Sequence, residues 1–132
     1  MKIIAIVQAR MGSSRLPGKV VKSVAGKSIL ELLLLRLSKA NKLDSIIVAI
    51  PDSAENKTLQ DHITELGFCF VKGSENDVLA RYHATAKEHN ADVIVRITGD
   101  CPLIDPNLVD EVISEFTSSK VDYCSNIMPT TY

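Results

Sequence analysis

Short apolar, β-branched runs alternate with longer periodic stretches along the whole chain. "KIIAIVQ" at 2–8, "SIIVAI" at 45–50, "FCFV" at 68–71, "DVIVRIT" at 92–98 and "VDYCS" at 121–125 read as strands. They barely alternate between apolar and polar, which predicts a sheet buried on both faces. The stretches 29–40, 54–66, 75–89 and 106–116 carry helical periodicity. Gly67 predicts the stop of the second helix, and Ser74, opening "SEND", predicts a capping box for the third. Asp105 caps the fourth, Pro106 takes its first position, and Leu108, Val109, Val112, Ile113 and Phe116 form its apolar face. Strand–helix alternation of this kind predicts a three-layer α/β domain: a mostly parallel sheet, right-handed crossovers, and helices on both faces. Ligands of such sheets bind beyond the carboxyl ends of the strands, near the switch in strand order. Attention therefore falls on the loop after the first strand and on "TGDCPLID" after the fourth.

Composition narrows the class. The 132 residues suffice for a single domain, 1–132, with 45% hydrophobic and 23% charged residues. A formal net charge of -1 and a pI near 6.3 give no basic field to hold nucleic acid. Three separated cysteines without a C-x-x-C pair suit a reducing compartment. The longest apolar run, "ILELLLLRL", is too short to span a bilayer, and no secretory leader pattern follows Met1. A cytoplasmic protein without membrane or nucleic-acid partners is expected.

The loop "QARMGSSRLPGK", from Gln8 to Lys19, is the chemical centre of the sequence. It is not a Walker loop, because five residues separate Gly12 from Gly18 and Val20 follows Lys19. The later "GKS" at Gly26 to Ser28 fails as well, with Val21 where the first glycine belongs. Small residues let backbone N–H groups approach an anion, while Arg10, Arg15 and Lys19 supply charge. Composition alone also allows a solvated corner whose cations pair with surface carboxylates. Asp100, just past "DVIVRIT", is likewise open to two readings: a ligand for a divalent cation, or a turn residue capping local amides. Cys101 beside it reads as a small space-filling side chain. His62, His83 and His89 lie on expected helices without metal-ligand spacing, so they read as surface or packing residues.

The stretch "QARMGSSRLPGKVVKSVAGKSILELLLLRL" resembles the amino-terminal signature of sugar cytidylyltransferases, in particular their SpsF-like spore coat polysaccharide branch. The enzymes that activate 3-deoxy-manno-octulosonate and acylneuraminate carry a similar A-R-x-x-S-x-R-x-P-x-K loop. The resemblance continues through "GSENDVLARY" and "VRITGDCPLID". It implies a Rossmann-like, nucleotide-diphospho-sugar-transferase fold that binds CTP. Arg10 and Lys19 match the phosphate-binding positions; Gln8, Ala9, Gly12, Ser13, Ser14 and Arg15 line the same surface. Asp100 matches the position that holds Mg²⁺. Thr98 stands where the octulosonate enzymes have glutamine. The resemblance places Ser74, Asn76, Asp77 and Arg81, with Asp52, near the nucleotide base.

The implied reaction transfers CMP from CTP to a hydroxyl of a sugar or sugar acid, for surface polysaccharide biosynthesis, with Arg10, Lys19 and Asp100 as the catalytic set. Family members are longer, and their later part supplies a second metal-binding aspartate, sugar contacts and a dimerisation element. A domain incomplete at its carboxyl end, and a homodimer, are therefore expected. Two other functions stay open: a glycosyltransferase that uses a finished nucleotide-sugar, and a nucleotide-binding module without catalysis.

Overall fold

The computed structural model describes residues 1–12 and 16–126. Four parallel strands make the main sheet: β1 (Ile3–Gln8), β4 (Ser45–Pro51), β5 (Cys69–Gly73) and β6 (Val93–Thr98). Their spatial order is β5-β4-β1-β6. The chain lays strands down on one side of β1, then returns to the other side for β6. The switch in strand order thus falls between β1 and β6, where crossover loops diverge and leave a crevice. A small antiparallel hairpin, β2 (Ser23–Val24) and β3 (Lys27–Ser28), lies outside this sheet. Its turn takes Ala25 and Gly26 to φ 53 and 84°, the left-handed pair a tight hairpin requires.

Alternation along β1 divides two cores. Ala5 and Val7 face α1 (Ile29–Leu37), α2 (Lys57–Glu65) and α4 (Pro106–Ser118); Ile4 and Ile6 face α3 (Val78–Glu88). Leu30, Leu33, Leu34 and Leu37 repeat at helical spacing and are fully buried, which orients α1. Full burial of each contributes roughly 1.5–3 kcal/mol. Ser28 caps α1, its Oγ accepting the Glu31 N–H at 3.0 Å. The expected helices form, although 54–66 divides into a 3-10 turn (Ala54–Asn56) followed by α2. Gly67 ends α2 at φ 83°, and Asp105 Oδ1 accepts from the Asn107 N–H at 2.9 Å to open α4.

Several expectations need correction. Only β1 and β4 are buried on both faces. In β5 and β6 buried and exposed positions are mixed, and Ile94 is left 45% exposed. These two are the sheet's edges, so part of each strand lacks a covering layer. "VDYCS" forms no strand: Val121 and Tyr123 are exposed, and among the described residues 121–126 belong to no strand ladder. A β-prone segment becomes a strand only where a neighbour accepts its backbone bonds. The cap of α3 is Asp77, whose Oδ1 accepts from Ala80; Ser74 Oγ accepts from Asp77 N one step earlier. Cys101 is exposed and fills no internal space.

Candidate functional site

The crevice at the switch point is a cleft of about 190 Å³ between the ends of β1 and β6. Gln8, Ala9, Arg10, Gly12, Lys19, Val20, Thr98, Gly99 and Asp100 line it. Both segments singled out in the sequence therefore meet here, although ninety residues separate Arg10 from Asp100.

Backbone fit makes the meeting possible. Gly99 N–H donates to the Gln8 carbonyl at 2.7 Å, and a Cβ on Gly99 would stand only 2.6 Å from that oxygen. Any side chain at 99 would force β6 away from β1. The loop is anchored from below by Asn56, 2% exposed, whose Oδ1 accepts the Met11 N–H at 2.9 Å while its Nδ2 donates to Ser53 Oγ at 2.7 Å. Gly18, at φ 70°, closes the loop by donating to the Met11 carbonyl at 2.7 Å. Lys19 opens a 3-10 turn whose Val20 is buried, which seats the lysine at the cleft wall.

Across the cleft, Lys19 Nζ donates to Asp100 Oδ2 at 2.9 Å. The ammonium holds the Asp100 carboxyl below its ordinary range, with smaller help from its own backbone N–H and the Thr98 side chain. Both side chains keep about a third or more of their surface exposed, so the pair remains open to exchange with an incoming ligand. Arg10 is exposed at the same mouth. Two cations and one carboxylate thus face a common space at the strand ends. Such a set can hold an anion and, through the carboxylate, share a divalent cation with it.

Of the expected nucleotide-binding residues, Gln8, Ala9, Arg10, Gly12, Lys19 and Thr98 share the cleft with Asp100. Ser13, Ser14 and Arg15 lie outside the described residues. Asp52, Ser74, Asn76 and Asp77 stand apart from the cleft, beyond the ends of β4 and β5. Asp52 is exposed, 3.9 Å from Lys72 Nζ, and its N–H donates to the Gly73 carbonyl. Ser74 and Asp77 spend their side chains on the start of α3. His62 packs, its Nε2 2.6 Å from Ser28 Oγ. Among the described residues no three His, Cys, Asp or Glu side chains gather to hold a metal. Asp100 would offer a divalent cation one oxygen donor, and a hard cation such as Mg²⁺ takes the rest of its ligands from elsewhere.

Sequence reasoning passed over Asn56 and Gly99. Gly99 carried a signal, a glycine directly past a strand at the ligand edge. Arg81, grouped in sequence with Ser74, Asn76 and Asp77, falls instead on the buried stripe of α3 with Tyr82, Thr85 and Ala86. Nothing local marked Asn56.

A parallel sheet with its switch point lined by cations, close-approaching backbone and one carboxylate is the architecture of nucleotide-binding α/β domains. Comparison with known proteins sharpens this. Residues 4–131 match the family model described as cytidylyltransferase, and the chain belongs to that family. It is 45% identical over 125 residues to an uncharacterized protein of Methanocaldococcus jannaschii, covering 95% of this chain and 51% of the relative. It is 35% identical to the spore coat polysaccharide biosynthesis protein SpsF of Bacillus subtilis, covering 92% of this chain and 52% of that protein. The solved structure of a cytidylyltransferase from Leptospira borgpetersenii superposes with a TM-score of 0.86 at 36% identity, covering 91% of this chain and 50% of that one. The chain spans about half the length of the curated relatives it matches. No helix among the described residues is long and apolar enough to cross a membrane.

Proposed function

We propose that the chain carries the nucleotide-binding part of a CTP-dependent sugar cytidylyltransferase. The observation behind this reading is the convergence of Arg10, Lys19 and Asp100 on one cleft at the β1/β6 switch, in a chain matched by the cytidylyltransferase family model. In the reaction a hydroxyl oxygen of a sugar or sugar acid attacks the α-phosphorus of CTP. The new P–O bond forms as the bond to the β-phosphate bridging oxygen breaks, pyrophosphate departs, and the hydroxyl proton passes to water. Arg10 and Lys19 hold phosphate oxygens and stabilise charge as it moves toward the leaving group. Lys19 changes partner on binding, exchanging the Asp100 carboxylate for a phosphate oxygen. Asp100, so released, is the residue that would hold Mg²⁺; when bound, that ion supplies charge neutralisation across the triphosphate. The similarity to SpsF supports a sugar acceptor for polysaccharide synthesis.

Calorimetric titration of the 132-residue chain with the four nucleoside triphosphates, each with and without Mg²⁺, tests the reading. CTP should bind tightest, and Mg²⁺ should tighten it. Equal affinity for all four would remove the cytidylyl assignment and leave a generic phosphate site. Pyrophosphate release with a panel of sugars and sugar acids should be very weak, because the chain supplies one carboxylate where a fully held metal takes more. Vigorous turnover would refute that dependence.

A further inference from the structure

Among the described residues, the loop that carries Asp100 has few bonds of its own. Gly99 fastens its first end by donating to the Gln8 carbonyl, and Asp105 opens α4 at the other. Between them Cys101 and Leu103 are exposed, Leu103 at 81%. Pro102 has no N–H to donate. The turn from Cys101 to Ile104 is closed by a long bond, the Ile104 N–H to the Cys101 carbonyl at 3.4 Å. Asp105 turns its carboxylate to the Asn107 N–H, away from the turn. Segments with few buried contacts and exposed bonds open readily. A carboxylate that must face a cleft needs its loop braced from outside.

The brace comes from α1. Arg36 lies in the last turn of that helix, exposed, next to the buried Leu34 and Leu37. A cation there ordinarily does no more than face the negative end of the helix dipole. Arg36 instead reaches 68 residues along the chain, its Nε donating to the Ile104 carbonyl at 2.7 Å. Helical side chains lean toward the helix amino terminus. Because α1 runs back between the parallel strands β1 and β4, that lean carries the guanidinium toward the carboxyl edge of the sheet. Ile104 packs its own side chain on the α1 core, so its carbonyl has a firm base. Farther along α4, Asp110 accepts from the Asn41 N–H at 2.9 and 3.0 Å and from the Lys42 N–H at 2.9 Å. Those bonds join α4 to the segment after α1, and Arg36 extends the seam to the turn. Charged donors make the shorter and stronger bonds, so the Arg36 contact outweighs the turn's own 3.4 Å bond.

We propose that Arg36 is a positioning residue for the cleft: by holding the Ile104 carbonyl it keeps the turn closed and Asp100 aimed across the cleft. This rests on the CTP-binding reading above. Arg36 is not among the residues that line the cleft. It acts through the backbone of residues 101–104, as the groups behind a metal ligand do when they fix its direction.

The experiment compares the wild-type chain with Arg36→Met, Arg36→Lys and a control, Asp110→Ala, which breaks the same seam away from the turn. Two quantities are read: NMR order parameters of the Asp100, Cys101 and Ile104 amides without ligand, and CTP affinity by calorimetry with and without Mg²⁺. Arg36→Met keeps the apolar stem and removes the donors. It should lower the order parameters from about 0.85, typical of rigid backbone, toward about 0.6. Mg²⁺-dependent CTP binding should weaken roughly tenfold, the low end for partners that orient a metal ligand. CTP without Mg²⁺ should change less than about twofold, and Arg36→Lys, which can still donate to Ile104, should recover part of both losses. Asp110→Ala should melt earlier yet keep the wild-type order parameters and Mg²⁺ effect. Order parameters already low in the wild type, or unchanged in Arg36→Met, would overturn the brace. A loosened turn with the Mg²⁺ effect intact would overturn its link to Asp100, as would an equal loss of that effect in Asp110→Ala. A wild-type chain that binds CTP indifferently to Mg²⁺ would overturn the metal reading of Asp100, and Arg36's role with it. One that binds no CTP at all would overturn the nucleotide reading itself.

Discussion

Substituting alanine for Gly99 tests the tightest contact at the site. The added methyl would stand 2.6 Å from the Gln8 carbonyl oxygen and 3.1 Å from Ala9 Cβ. Gly99 has no left-handed backbone, so the cost is steric alone. Carbon and oxygen need more than 3 Å, and the obstacle is backbone inside a parallel ladder rather than a movable side chain end. The end of β6 must shift, stretching the 2.7 Å bond from Gly99 N–H to Gln8. Overpacking of this kind costs about 1–3 kcal/mol, and the weakened backbone bond adds about 0.5–1.5 kcal/mol. We expect a loss of about 2–4 kcal/mol, which for a domain of this size lowers the melting midpoint by roughly 8–16 °C. Asp100 follows Gly99 directly, so its distance to Lys19 should lengthen and CTP affinity should fall as well. Gly26→Ala is the control: nothing lies within 4 Å of its Cβ position, and its φ of 84° makes only backbone strain count, about 1 kcal/mol. Thermal unfolding followed by circular dichroism measures both. If Gly99→Ala melts within about 2 °C of the wild type, well inside the shift expected for 1 kcal/mol, the close approach does not govern the site and the argument fails.

Arg10→Ala and Lys19→Ala should each weaken CTP binding by about 1.5–3 kcal/mol while leaving cytidine nearly unchanged; equal losses for the two ligands would point to damaged folding or base recognition. Asp100→Asn should remove most of the Mg²⁺ enhancement of CTP binding, measured by titration with and without the ion. The same variant has a pH signature. The lysine keeps the folded Asp100 carboxyl below its unfolded value, so its contribution is complete above that value and disappears as pH falls through the lower, folded one. Urea melts should therefore show the wild type losing its advantage over Asp100→Asn below about pH 4. For a half-exposed pair the advantage amounts to less than about 1 kcal/mol, and one that grows on acidification would contradict the pairing.

Much of this architecture was open to reading from local pattern. Leucines at 30, 33, 34 and 37 dictate a helix with one buried face, Gly67 and Asp105 punctuate their helices, and "QARMGSSRLPGK" concentrates cations and small residues in one loop. These features depend on residues within a turn or two of one another, and local sequence contains all the information they need. Edge and centre are different. "DVIVRIT" has the composition of a buried strand, yet β6 is exposed along part of its length because its place in the order β5-β4-β1-β6 leaves one side without a neighbour. "VDYCS" has strand propensity but joins no strand ladder among the described residues. The Lys19–Asp100 pair spans 81 residues, the Asn56 anchor under Met11 spans 45, and Arg81 is buried only because α3 presses it onto the sheet. Pattern along the chain determines which surfaces are apolar and which loops are charged. Strand order and helix packing alone decide which of those distant groups share a cleft, because proximity between them arises only when the sheet assembles.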